Sequence, residues 1–148
     1  MSTVPSKVKK MKRQRRQGAA AVEFAVIAPL FLLLLAGIVE FGQVFRIEHA
    51  LSTASRRGAR SAMLVGAETS AIQQNINDLI VTLIGVEPQN VSVAVAVNGQ
   101  EGVNVSDAEQ GDEICVTVSV PYSEAGLGFF ATFFSDATLS SNCLFEHE

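Results

Sequence analysis

The sequence predicts an α+β protein: a long N-terminal transmembrane helix continuing as an exported stalk, a second amphipathic helix, and a small antiparallel β-sheet head. Three observations predict it. Residues 24–39, FAVIAPLFLLLLAGIV, carry no charge over sixteen positions. Two later stretches place apolar residues at helical spacing, with Gly66 between them. Two more, VSVAVAV and ICVTVSV, alternate with a period of two. At 148 residues the chain suits one small domain with an anchor.

Charge defines the first element. Residues 1–18 hold seven of the eleven basic side chains (Lys7, Lys9, Lys10, Lys12, Arg13, Arg15 and Arg16) and no acid. The remaining residues hold four Arg, no Lys and all fifteen acids, so a formal net charge of −4 conceals two oppositely charged parts. An acidic body argues against nucleic acid, because phosphate binding needs clustered Lys and Arg. Beside an apolar run, the basic cluster fits the positive-inside bias and predicts a cytoplasmic N-terminus with the body exported. Extending the run back through Ala19-Ala20-Ala21-Val22 gives about 20 apolar residues, enough to span a bilayer as a helix. A buried core helix fits poorly, since the run is apolar on every side and the chain has little to cover it.

A cleaved secretory signal would end its apolar core in a small-x-small site. Here the core ends LLLLAGIVEFGQVF, followed by bulky and acidic residues. The glycine lies before the run instead: Gly18, then AAAVEF, with Glu23 and Phe24 fifth and sixth after it. This arrangement resembles the class III signal of type IV pilins and pseudopilins, cut on the cytoplasmic side by a membrane-bound aspartyl prepilin peptidase. AAAVEFAVIAPLFLLLLAGIVEFGQVF, then ALSTASRRGARSAM, is similar more narrowly to the TadE-like pseudopilins of the tight-adherence (Flp pilus) secretion system. In that family a second EFG ends the membrane helix and an A-x-x-GAR segment follows. The resemblance is close over residues 15–65. It is looser beyond, where GDEICVTVSVPY matches a Gly-Asp, alternating strand and Pro-Tyr pattern.

The resemblance implies cleavage between Gly18 and Ala19, so that residues 1–18 are a removable leader, and a processing and assembly role for Glu23 and Phe24. It also implies partners: the prepilin peptidase, other pilins and pseudopilins, the Flp assembly machinery, and the lipid bilayer of the inner membrane. The residues themselves raise the same question about Glu23. A charge at the edge of a lipid-seeking helix is costly and is a functional candidate once a partner is named. Cleavage would create that partner, an α-amino group on Ala19 about one helical turn before Glu23. The alternative is a carboxylate in the headgroup layer that stabilises the helix N-terminus through the macrodipole.

The later elements follow in order. From Gly42 to Met63, Val44, Leu51, Ala54, Gly58 and Ala62 fall near helical spacing, and abundant small residues let another backbone approach. One helix from about Ala20 to Met63 is predicted, roughly 65 Å long, with Pro29 bending it. Residues 19–65 thus form the membrane and stalk helix, and 66–148 the head. Thr69 reads as the N-cap of a second helix with Ile72, Ile76, Leu79, Ile80 and Leu83 on one face. Gly85 is its stop, and Pro88 prevents a restart. Val91–Val97 reads as a strand, Asn98-Gly99 as a hairpin turn, and EGVNV as its return. SDAEQGD loops to a strand over Ile114–Val120, ended by Pro121. EAGLGFFATFF reads as a loop or short helix, and Thr138–Phe145 as the last strand.

A head of 83 residues buries a modest core and gains from a staple. Cys115 and Cys143 fall in strands read as adjacent, and an exported body permits a disulfide. Two buried free thiols are the alternative, because spacing does not fix pairing geometry. Cys143 and His147, with Cys115 and either His49 or a carboxylate, have loosely metal-like spacing. They lack the paired elements of structural zinc sites. No Ser or Cys stands in a nucleophile signature with a histidine. Asp112 and Glu113 are adjacent and point to opposite faces of a strand, a poor acid–base pair. Gly126 and Gly128 lack the Lys or helix context of a phosphate cradle. No catalytic residue, metal, cofactor or small-molecule substrate is therefore expected.

Arg56, Arg57 and Arg60 read as a solvated face or as ion-pairing groups in an assembly. Asn90 and Asn104 match glycosylation sequons. Two classes of function follow. One is a minor pseudopilin needed to assemble a Flp-type pilus or related secretion filament. The other is an uncleaved, single-pass envelope protein that binds or scaffolds.

Overall fold

Apolar residues at helical spacing continue almost to Gly66, and one helix carries them. In the computed structural model α1 runs Lys7–Ala62, and Gly66 turns the chain with φ of 79°. The structure describes residues 7–64, 66–126, 128, 134 and 136–147. Pro29 lies within α1 without ending it. The chain divides into two compact units between Val39 and Glu40.

The first unit ends with the apolar part of α1. Its large side chains are exposed, Phe24 at 73% and Leu30 at 68%, and none of the most hydrophobic window is covered by the chain itself. A core helix of a soluble protein hides such residues. This one is long and apolar enough to cross a bilayer, and it fits a single-pass membrane protein.

The second unit begins at Glu40. It contains the end of α1, then α2 (Thr69–Ile84), β1 (Ser92–Val97), β2 (Gln100–Glu101), β3 (Glu113–Pro121), the short α3 (Tyr122–Ala125) and β4 (Thr138–Glu146). The strands form one antiparallel sheet in the order β2-β1-β3-β4. Burial alternates along β3, with Ile114, Val116, Val118 and Val120 fully buried and their neighbours half-exposed. A strand's side chains point to alternate faces, so one face of the sheet is core and the other is open. Ile47, Leu51 and Ala54 of α1 and Ile72, Ile76 and Ile80 of α2 belong to that core.

Residues 40–62, read from sequence as stalk, are thus built into the head. The cause is their small-residue stripe. A Cβ placed on Gly58 would lie 2.3 Å from Ile76 Cδ1 and 3.1 Å from Val116 Cγ1, so α2 and the sheet close onto α1 where it has no side chain. The stripe packs within the chain.

Several local expectations change in detail. Thr69 is the first residue of α2, not its cap: Glu68 holds the cap position without a side-chain bond. Asn104 supplies the acceptor from another segment, since its Oδ1 takes hydrogen bonds from the Thr69 N–H (3.2 Å) and hydroxyl (3.1 Å). Gly85 ends α2 in the left-handed region, as read. Asn98 and Gly99, with φ of 51° and 77°, form the two-residue hairpin turn. Its return is only Gln100–Glu101, because Gly102 at φ 85° turns the chain away from β1. α3 supplies the short helix after Pro121; most of the Phe-rich stretch that follows lies outside the described residues.

The expected Cys115–Cys143 bond is not formed, and both thiols are free. Register explains it. Cys115 faces Leu144 and Val116 faces Cys143, so the cysteines sit on neighbouring strands but on opposite faces of the sheet. His147, read as frayed, is held: its N–H donates to the Asp112 carbonyl, and its carbonyl accepts from the Gly111 N–H, each at 2.8 Å.

Candidate functional site

Two groups of residues stand out, one in each unit. The first is Gly18, Ala19, Glu23 and Phe24, all exposed on α1. A Cβ on Gly18 would meet nothing within 4 Å. No packing inside the chain therefore demands glycine there, and its presence needs another reason. Glycine also holds helix less well than alanine, by about 1 kcal/mol, so Gly18 weakens α1 locally. Ala19 and Glu23 are four residues apart in a helix and share one face.

The second group surrounds Glu40, which is only 4% exposed. A buried carboxylate is costly unless hydrogen-bonded. The Tyr122 hydroxyl donates to Glu40 Oε1 from the far end of β3, across 82 positions of sequence. Burial, then the Glu40 hydrogen bond and charge, push the Tyr122 hydroxyl pKa up to about 12. Gly126 is needed beside them: a Cβ there would come within 3.0 Å of Tyr122 and 3.1 Å of Glu40 Oε1. Gln43 donates to the Ala125 carbonyl at 3.4 Å, one turn further along α1. A cavity of about 220 Å³ opens against this pair, lined by Phe41, Val44, Phe134, Ala137 and Leu139. Phe134 meets the Tyr122 ring edge-on, with centroids 5.7 Å apart.

The remaining candidates are scattered. Asp112 accepts from Asn98 Nδ2 at 2.7 Å and from the Glu109 N–H at 2.8 Å. These bonds hold its carboxyl below the usual range, and they brace the hairpin. His49 is exposed on α1, far in sequence from His147 and from either cysteine. Among the described residues, no group of three His, Cys, Asp or Glu is placed to hold a metal ion. Arg56, Arg57 and Arg60 are exposed, and Arg46 donates to the Leu83 carbonyl near the end of α2 at 3.1 Å. Asn90 Nδ2 donates to Glu124 at 3.0 Å.

Residues 18–60 match the model of the TadE-like protein family. Over that stretch the chain is similar to TadE-like proteins. No curated protein and no solved structure matches it. The TadE-like segment begins at Gly18 and takes in Glu23, Glu40 and Gly58, the processing-type motif, the buried carboxylate and the helix-crossing glycine. In the sequence Glu40 belongs only to the second EFG and Tyr122 to the Pro-Tyr pair; that they meet is not legible there, and the one signal is an acid placed just where the apolar run stops.

Proposed function

We propose that this chain is a minor pseudopilin, cut by prepilin peptidase after Gly18 and needed to assemble a Flp-type pilus or related secretion filament. The observation that carries the reading is the TadE-like match beginning at Gly18, on a helix whose apolar surface the chain leaves uncovered. In this reading the basic leader stays on the cytoplasmic side of the inner membrane and the head is exported. Cleavage frees an amine on Ala19, largely cationic at neutral pH with a reference pKa near 8. Glu23, one turn away or on a neighbouring subunit, neutralises it as both leave water. Phe24 beside it enters lipid or a neighbouring helix. The chain performs no catalysis; the peptidase does.

The test uses the full chain in its native membrane. Mass spectrometry of the mature N-terminus is expected to find Ala19 first, whereas an intact leader points to the uncleaved anchor. Gly18→Leu is expected to block cleavage. Glu23→Ala is expected to be cleaved and inserted yet to assemble no filament. Normal assembly by a cleaved Glu23→Ala protein overturns the role given to that acid.

A further inference from the structure

The sheet of the head has two edges, and they are built differently. At one edge β2 is only Gln100–Glu101, and Gly102 turns the chain away after it. Beside it, the Val93 carbonyl of β1 accepts from Gln73 Nε2 of α2 at 3.1 Å. That edge is short and partly covered. The other edge is β4, whose residues Thr138–Glu146 all pair with β3 in unbroken register. Among the described residues no strand pairs with its outer side.

Parity fixes which backbone groups of β4 point outward. The Tyr122 N–H donates to the Ala137 carbonyl at 2.9 Å, and the His147 N–H to the Asp112 carbonyl at 2.8 Å. Hydrogen-bonded pairs alternate along an antiparallel ladder, so the odd-numbered residues of β4 bond β3. Thr138, Ser140, Asn142, Leu144 and Glu146 turn their N–H and C=O groups away from it. Such an edge is a template for another strand, and sheets usually blunt it with Lys, Pro or a bulge. TLSSNCLFE has neither Lys nor Pro, and its Leu144 is 55% exposed.

The side chains of β4 select the occupant. Antiparallel pairing with a second copy, centred on Asn142, overlaps the whole strand and sets outward groups against outward groups. Glu146, the only charged residue of β4, then lies opposite Thr138 of the second copy. Leu139 and Phe145, both half-buried at the margin of the core, lie opposite each other. Parallel pairing in register would instead oppose the two Glu146 carboxylates, which is unfavourable. The antiparallel arrangement joins the copies through about ten backbone hydrogen bonds, two for each outward pair.

We infer that the head self-associates through β4: two copies pair antiparallel about Asn142 and merge their sheets into one. The surface lies wholly within the head, and the inference needs neither leader cleavage nor filament assembly.

The test uses the full-length protein in detergent micelles, with Cys115→Ser and Cys143→Ser removing the native thiols. Cα atoms of a hydrogen-bonded antiparallel pair are about 5.5 Å apart, within disulfide reach. Asn142→Cys is therefore expected to form an interchain disulfide on mild oxidation. Ser140→Cys faces Leu144 rather than itself, and is expected to crosslink at least about fivefold less. Mixing Ser140→Cys with Leu144→Cys protein is expected to restore the bond. Asn142→Pro removes only an outward N–H, which an edge strand tolerates, and is expected to sediment as a monomer where the parent protein is a dimer. Asn142→Lys, which opposes two ammonium groups, replaces it if circular dichroism shows a fold defect. Equal crosslinking of Asn142→Cys and Ser140→Cys overturns the pairing, as does a dimer that the substitution at 142 leaves intact. A monomeric parent protein overturns the second copy as occupant and leaves the edge to a strand from a different protein.

Discussion

Tyr122 is the only tyrosine in the chain, so its ionisation can be followed without interference. Its hydroxyl is held protonated to about pH 12, against an ordinary value of 10.0. Below about pH 10 folded and unfolded chains both keep the proton, and the contribution of this group to stability is complete. Between 10 and about 12 the unfolded chain releases it first, so stability declines with rising pH. Phenolate absorbance in the folded protein is expected to rise only near pH 12, and urea midpoints to fall across that window. Tyr122→Phe removes the phenol and leaves Glu40 one donor short. Losing a hydrogen bond to a buried acid costs about 1–3 kcal/mol, and the variant should also lose the alkaline decline. A Tyr122→Phe midpoint equal to that of the parent protein would show that Glu40 is held by its other surroundings.

At the scale of elements, two glycines of α1 make opposite predictions. Gly58 is where α2 and β3 close onto the helix, and a Cβ there collides with Ile76 and crowds Val116. Gly58→Val is expected to destabilise the head by about 1–3 kcal/mol, the usual range for overpacking a filled core. A Cβ on Gly42 would meet nothing within 4 Å. Gly42→Ala is expected to stabilise by up to about 1 kcal/mol through helix propensity alone. Denaturant melts of the two variants check both signs together. The same contrast shows what a sequence can reveal. Spacing marked Gly42–Met63 as a helix with a small-residue face. It held no information about which chain would press on that face, because close approach looks the same whether the neighbour is intramolecular or another subunit.

Over the whole molecule, the elements written in strong local code were legible. The apolar run is long enough to cross a membrane, and Asn98-Gly99 and Gly85 adopt the positive φ their types suggest. What was not legible depended on partners distant in sequence. Asn104 caps α2 from 35 residues away, where Thr69 looked sufficient by itself. The cysteines failed on parity: placing them in adjacent strands was right, but a one-residue offset in register sends side chains to opposite faces. The head therefore stands on its core, without a covalent staple. Alkylation of unfolded, unreduced protein recovered from the envelope is expected to label both Cys115 and Cys143. Two blocked thiols released only by reductant would show that the register seen in β3 and β4 is not the one the cell makes.

The Glu40–Tyr122 hydrogen bond has a consequence in time. Chains are made N-terminus first at about 5–20 residues per second, so the 82 positions between these residues take about 4–16 s to synthesise. Throughout that interval α1 already carries the carboxylate and the apolar residues Ile47 and Leu51, while the strand that covers them does not yet exist. The loop that must close is long, and contacts so far apart in sequence are the slow ones to form. Each nascent head therefore waits half-open until Tyr122 is made, and a chain terminated before Tyr122 never leaves that condition.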